Sequence, residues 1–138
     1  MSADRRLPVY FLIDTSGSMT GEPIQAVNVG MAELIESLRQ DPHALETLWL
    51  SIITYDSEVK VLLPLTALED IAPIDIQCPL SGPTHMGEAL LVLNQNVPKE
   101  VRTSGDHRDW RPLLFMMTDG KPSDLQLFNE QISITRSM

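Results

Sequence analysis

One stretch constrains this chain more than any other: Val9-Tyr10-Phe11-Leu12-Ile13, five apolar residues in a row, running into Asp14. A short apolar run rich in β-branched and aromatic residues, entered from Pro8 and closed by a polar turn with a glycine, reads as a buried central strand. The turn Asp14-Thr15-Ser16-Gly17-Ser18 leads through Gly21-Glu22-Pro23 into a helical pattern. Asp14 therefore stands where a strand hands over to a helix. In open α/β sheets the carboxyl ends of the strands face the crevice where ligands bind. Asp14 offers a hard anionic oxygen, and the hydroxyls of Ser16 and Ser18 offer neutral ones. That set suits a hard cation such as Mg²⁺, which takes oxygen ligands and keeps several waters. Taken alone, these five residues favour a plain turn, because Asp and Ser are common at such junctions.

Further along, Pro23 is well placed at the first position of a helix. Ile24, Val27, Met31, Leu34, Ile35 and Leu38 follow at steps of three and four, one apolar face, and Asp41-Pro42 stops it. Residues 48–55, Leu-Trp-Leu-Ser-Ile-Ile-Thr-Tyr, read as a second buried strand. Asp56-Ser57-Glu58 is too short a link to cross over, so the strand over 59–63 should be its antiparallel neighbour. Lys60 and Pro64 suit that strand to a sheet edge. Thr66-Ala67-Leu68-Glu69 is a capping-box pattern that predicts a short helix through Ile71. Residues 73–83, with three prolines, read as an irregular loop. Met86, Ala89, Leu90, Leu93 and Val97 again have helical spacing, ended by Pro98. Residues 99–110 are polar and read as an exposed loop. Leu113-Leu114-Phe115-Met116-Met117 is apolar throughout, as for a strand covered on both faces. It closes in Thr118-Asp119-Gly120, a second strand tip with a carboxylate. Ser123-Asp124-Leu125-Gln126 opens a last helix near 125–131.

A chain of 138 residues holds one domain with a real core. With 43% hydrophobic and 21% charged residues it is globular, and a formal charge of −9 argues against nucleic acid and anionic membranes, which need a basic face. The lone cysteine, Cys78, has no metal-ligand spacing and reads as a structural thiol. No segment is long and apolar enough for a signal core or a membrane span, so the reading is a cytoplasmic soluble domain.

Strand, helix, strand, strand, short helix, helix, strand, helix is the order of an α/β fold with a mostly parallel sheet. Asp14 and Asp119 then share one edge, and the loop Ser81-Gly82-Pro83-Thr84 can bring a third hydroxyl there. Two carboxylates and three hydroxyls converging on one crevice are far more specific than the first turn alone. Asp14-x-Ser16-x-Ser18, Thr84 in Ser-Gly-Pro-Thr-His-Met-Gly-Glu-Ala-Leu, and Thr118-Asp119-Gly120 resemble the three segments that form the metal-ion-dependent adhesion site of von Willebrand factor A (vWA) domains. The resemblance runs over about residues 7–124. Leu7-Pro8-Val9-Tyr10, Asp109-Trp110-Arg111-Pro112-Leu113 and Asp119-Gly120-Lys121-Pro122-Ser123-Asp124 are similar to the bacterial tellurium-resistance-associated branch.

The resemblance implies a Rossmann-like vWA fold: a mostly parallel central sheet, one antiparallel edge strand, and helices on both faces. It implies a Mg²⁺ or Mn²⁺ ion ligated by the Ser16 and Ser18 hydroxyls, with Thr84 direct or through water and Asp14 and Asp119 mainly through water. A partner protein's Asp or Glu would fill the open position. For the branch, it points to a tellurite-resistance or stress system with a phosphatase or kinase as partner, and to no catalysis by this chain itself. Two alternatives stay open. One is a phosphotransfer enzyme using Asp14, although the general acid expected two residues on is here Ser16. The other is a metal-free scaffold. Family members usually continue for further strands and helices, so this chain reads as C-terminally shortened. The strand over 113–117 would then lack its outer neighbour. Either the alternating Ile132-Ser133-Ile134-Thr135 folds back as a strand to cover it, or two chains share it as a homodimer, the favoured expectation.

Other conspicuous residues have plainer readings. His85, beside Thr84, faces solvent at a helix start, and His43 and His107 lie in loops without partner spacing. Met116 and Met117 fill core. Trp110 either covers the sheet edge or anchors a partner. Glu88 and Asp124 are solvated helix-start acids.

Overall fold

The computed structural model describes residues 5–15, 19, 21–56, 58–77, 85–102, 108–117 and 125–137, with only the backbone of residues 125 and 128. Four strands, β1 (Leu7–Asp14), β2 (Leu48–Tyr55), β3 (Val59–Ala67) and β4 (Leu113–Met117), form one sheet in the order β3-β2-β1-β4. β1 runs parallel to β2 and β4, and β2 pairs antiparallel with β3. The helices are α1 (Glu22–Arg39), α2 (Pro42–Thr47), α3 (Met86–Glu100) and α4 (Leu125–Ser137). This is the α/β, mostly parallel, Rossmann-like arrangement expected, with β3 as its antiparallel edge.

β1 is central because both of its faces are apolar. Val9, Phe11 and Ile13 meet Leu50 and Ile52 of β2 and Ile24, Met31 and Ile35 of α1 on one face. Tyr10 and Leu12 meet Ile53, Tyr55 and Leu90, Leu93 and Val97 of α3 on the other. Each such side chain contributes roughly 1.5–3 kcal/mol by leaving water. The unbroken register from Leu7↔Leu48 to Asp14↔Tyr55 brings Asp14 level with the end of β2. Gly21, at φ 85°, adopts the left-handed conformation that a side chain resists, and so turns the chain into α1.

Several local expectations give way to tertiary context. Asp41-Pro42 ends α1 but also starts α2: the Asp41 carboxylate accepts from the His43 amide at 3.0 Å. β3 continues through Pro64 to Ala67, which an edge strand tolerates. The capping box at Thr66 does not form. Thr66 lies in the strand and donates to the Pro64 carbonyl, and Leu68–Asp70 make a 3₁₀ turn with no side-chain cap. Pro98 does not end α3, which runs on to Glu100. In the last turn its missing N–H forfeits a single helical bond. α4 extends to Ser137, so the alternation at 132–135 is helical and not a strand. It docks on α3, where the Asn94 amide donates to the Gln131 carbonyl (3.0 Å) and accepts from Thr135 (2.7 Å).

The strand over 113–117 is not covered on both faces. Leu114 and Met116 pack under the α3 face, which Ile132 of α4 joins. On the α1 face, Leu113 is 46% and Phe115 48% exposed. Helix α1 lies over β1 and β2, and among the described residues β4 meets that face only through Met117, packed at the core's edge, and Phe115, stacked on Phe11 at 5.4 Å.

The loop expected to be exposed over 99–110 is anchored at its described ends. Asp109 is buried and accepts from the Arg6 amide (3.2 Å), Nε (2.9 Å) and Nη2 (2.6 Å), and from the Arg102 amide (2.8 Å), Nε (3.2 Å) and Nη2 (3.0 Å). Burial alone would raise this carboxyl's pKa. The hydrogen bonds and charges of the two arginines outweigh it and hold the group far below the usual carboxylate range. Tyr10 is pushed well above the usual phenol range, first by burial and then by Glu100, whose carboxylate accepts its hydroxyl at 3.0 Å.

Candidate metal centre

Of the five residues proposed to hold a metal, Asp14 is the one the structure describes. Ser16, Ser18, Thr84 and Asp119 lie outside the described residues, as do Cys78, His107 and Asp124. Asp14 is the last residue of β1, at the carboxyl edge of the central strand, and is fully buried. The parallel register brings the last residues of β1 and β2 side by side there, with β4 ending opposite Ile13. Burying an ionised carboxylate is costly unless donors or a cation compensate it. The position and the oxygen chemistry fit a hard cation.

The residue after it is equally informative. Thr15 is buried, its amide donates to the Tyr55 carbonyl at 2.8 Å, and its hydroxyl donates to Asp56 Oδ2 at 2.9 Å. Asp56, just past β2 and 8% exposed, also accepts from the Glu58 amide at 2.8 Å. Its carbonyl accepts the His85 amide at 3.0 Å, one residue before α3 begins. Sequence reading treated Asp56 as part of a tight connection and missed that it knits three elements. An Asp two residues before the bonded amide is a turn signal in any hairpin, so nothing local distinguished it. A cleft of about 190 Å³ opens beside it, lined by Thr15, Thr54, Asp56, Lys60, Asp75 and Gln77 among others.

His85 is half-buried, with Nδ1 3.4 Å from Glu88 Oε2. His43 sits exposed in the first turn of α2. Met116 and Met117 pack against the two cores, as expected of filler. Trp110 is 48% exposed, with the Arg5 guanidinium 3.7 Å from its ring centroid. Among the described residues, no cluster of three or more His, Cys, Asp or Glu converges.

The model of the von Willebrand factor type A domain matches residues 9–121, most of the chain. This chain belongs to the von Willebrand factor type A domain family. Over 123 residues the vWA domain is 28% identical to the Synechocystis protein sll0103, covering 86% of this chain and 26% of that protein. It is 28% identical over 127 residues to chicken matrilin-3, covering 88% and 27%. The vWA domain thus spans about a quarter of the length of these two relatives. Proximal thread matrix protein 1 of the mussel byssus shares the fold, at a TM-score of 0.69 and 18% identity over 99% of this chain and 36% of that one. That mussel protein is also known with a zinc-occupied adhesion motif, a structure that this chain matches at a TM-score of 0.61 and 18% identity, over 96% and 36%. vWA domains commonly mediate protein–protein interactions, and those of adhesins and matrix proteins are generally non-enzymatic. No helix among the described residues is long and apolar enough to cross a membrane.

Proposed function

We propose that this vWA domain is a metal-dependent protein-interaction module, with a Mg²⁺ or Mn²⁺ ion held by Asp14, Ser16, Ser18, Thr84 and Asp119. The observation that carries the reading is Asp14: a fully buried carboxylate at the carboxyl end of the central parallel strand. Its neighbours in sequence supply the hydroxyls that a hard cation takes. Family membership supports it, as does the zinc-occupied motif of the mussel relative. Ser16 and Ser18 would ligate the ion through their hydroxyls, Thr84 would bind directly or through water, and Asp14 and Asp119 would balance the charge mainly through water. When bound, the ion supplies a Lewis-acidic position that takes a carboxylate from a partner protein. The chain's own work is to present that position at the carboxyl edge of the sheet. Its resemblance to the bacterial tellurium-resistance-associated branch points to a cytoplasmic setting beside a phosphatase or kinase of a tellurite-resistance or stress system, where it acts without catalysis of its own.

Titration calorimetry tests the metal assignment directly. Wild-type protein should bind one equivalent of Mg²⁺ or Mn²⁺, weakly because no partner carboxylate is present. Asp14→Ala and Ser16→Ala should each lose the heat of binding while keeping the wild-type circular-dichroism spectrum. Equal binding by all three proteins would overturn the assignment.

A further inference from the structure

We propose that Asp56 is a positioning residue for the metal site, tying the turn after β1 to the start of α3. The inference rests on the metal reading above. Every polar group of Asp56 is engaged. Oδ1 accepts from the Glu58 amide (2.8 Å) and the Asp56 amide donates to the Glu58 carbonyl (3.0 Å), which together shape the turn between β2 and β3. Oδ2 accepts the Thr15 hydroxyl (2.9 Å), and the carbonyl accepts the His85 amide (3.0 Å). A residue that merely turned the hairpin would need the first two bonds alone. The other two reach out to separate elements. Thr15 is joined covalently to Asp14 and Ser16, and His85 to Thr84, so these bonds hold relative to each other the described residues that flank the two hydroxyl-bearing segments.

The chemistry of Asp56 suits this role. Its carboxylate is buried, yet among the described residues no lysine or arginine pairs with it: it is satisfied by a neutral hydroxyl and an amide. Such bonds are directional and hold geometry, and they leave the negative charge free to reinforce a cation site one residue away. Partners that orient ligands from outside the coordination sphere typically set metal affinity by about 10–100-fold.

The test uses the whole chain and three substitutions. Thr15→Val removes the hydroxyl at nearly constant shape, Asp56→Ala removes the carboxylate, and Asp56→Asn keeps both side-chain links because the threonine hydroxyl can rotate to accept from an amide. Mg²⁺ titration should show binding weakened about tenfold in Thr15→Val and in Asp56→Ala, and within about threefold of wild type in Asp56→Asn. The double variant Thr15→Val/Asp56→Ala should be no weaker than Asp56→Ala, since both break one link. In metal-free protein, amide exchange at Thr15 and His85 should quicken in Asp56→Ala and not in Asp56→Asn. If Asp56→Ala fails to fold, Thr15→Val and Asp56→Asn carry the comparison. Wild-type protein that binds Mg²⁺, with Thr15→Val binding equally well, would overturn this inference alone. Wild-type protein that takes up no divalent metal would overturn the reading of the site, and this inference with it.

Discussion

At the amino end of the sheet Asp109 is buried between Arg6 and Arg102, whereas at the carboxyl end Asp56 is buried against a threonine hydroxyl and a backbone amide. Both carboxylates are out of water, and both bind distant parts of the chain together. The difference lies in charge. The amino end neutralises its carboxylate from within and adds Arg6 over the Trp49 ring at 4.6 Å, so its electrostatics are complete in the folded chain. The carboxyl end has Asp56 beside a cleft, with no lysine or arginine paired to it among the described residues, in a molecule of formal charge −9. A charge neutralised internally serves stability. A carboxylate held by neutral donors alone, as Asp56 is among the described residues, keeps a charge that a bound cation can neutralise.

The largest effect expected from this comparison is at the amino end. Asp109→Ala leaves two guanidinium groups facing an emptied, buried position, and breaking a buried pair this way costs about 3 kcal/mol. Urea unfolding should read that loss directly. Mg²⁺ affinity, measured where the variant is still folded, should stay at the wild-type value. A loss of stability accompanied by a tenfold loss of Mg²⁺ affinity would show that the two ends are not separate devices.

A smaller effect follows from pH. The folded pKa of Asp109 lies far below its unfolded value of about 3.9, so its contribution is complete above that value and is lost as pH falls toward the folded one. Asp109→Asn lacks this component at every pH. The stability gap between wild type and Asp109→Asn should therefore be constant from about pH 7 to 5 and narrow steadily below about pH 4. A gap that widens on acidification would mean that Asp109 is not held ionised by its arginines.

The same contrast explains what could be read in the sequence. β1 and β2 were legible because an unbroken apolar run has one cheap destination, the middle of a sheet. The antiparallel β3 followed from the shortness of the link at residues 56–58. The position of Asp14 followed from both. What stayed hidden depends on partners far away in the chain. Asp109 looked like one polar residue of a loop, because Arg6 lies about a hundred positions earlier and no local pattern joins them. Thr66 carried a capping signature that pairing with Leu50 overrode. Ile132 and Ile134 alternate like a strand, but the Asn94–Gln131 and Asn94–Thr135 hydrogen bonds secure a helix there. Phe115 reads as core in any apolar run. Its half exposure reflects which strands α1 reaches, and that is set by the whole topology.

The smallest effect sharpens the comparison from the carboxyl end. Lys60 Nζ lies 3.9 Å from Glu58 Oε2, with side chains 61% and 73% exposed. An exposed pair of long side chains gains little Coulomb energy in water and gives up rotamer freedom to form, so Lys60→Ala should change stability by less than about 0.5 kcal/mol. Yet Lys60 lines the same cleft as Thr15 and Asp56. Removing a cation from beside a cation site lowers the repulsion an incoming ion meets, so Mg²⁺ should bind slightly tighter, by about twofold at low salt. The gain should fade by about 0.5 M salt, where exposed charges are screened over a few ångströms. Thermal melts and Mg²⁺ titrations at two salt concentrations read both quantities. If Lys60→Ala instead melted several degrees lower, or bound Mg²⁺ more weakly, the carboxyl end would depend on a fixed cation just as the amino end does. The division between an end neutralised from within and an end left open would then fail.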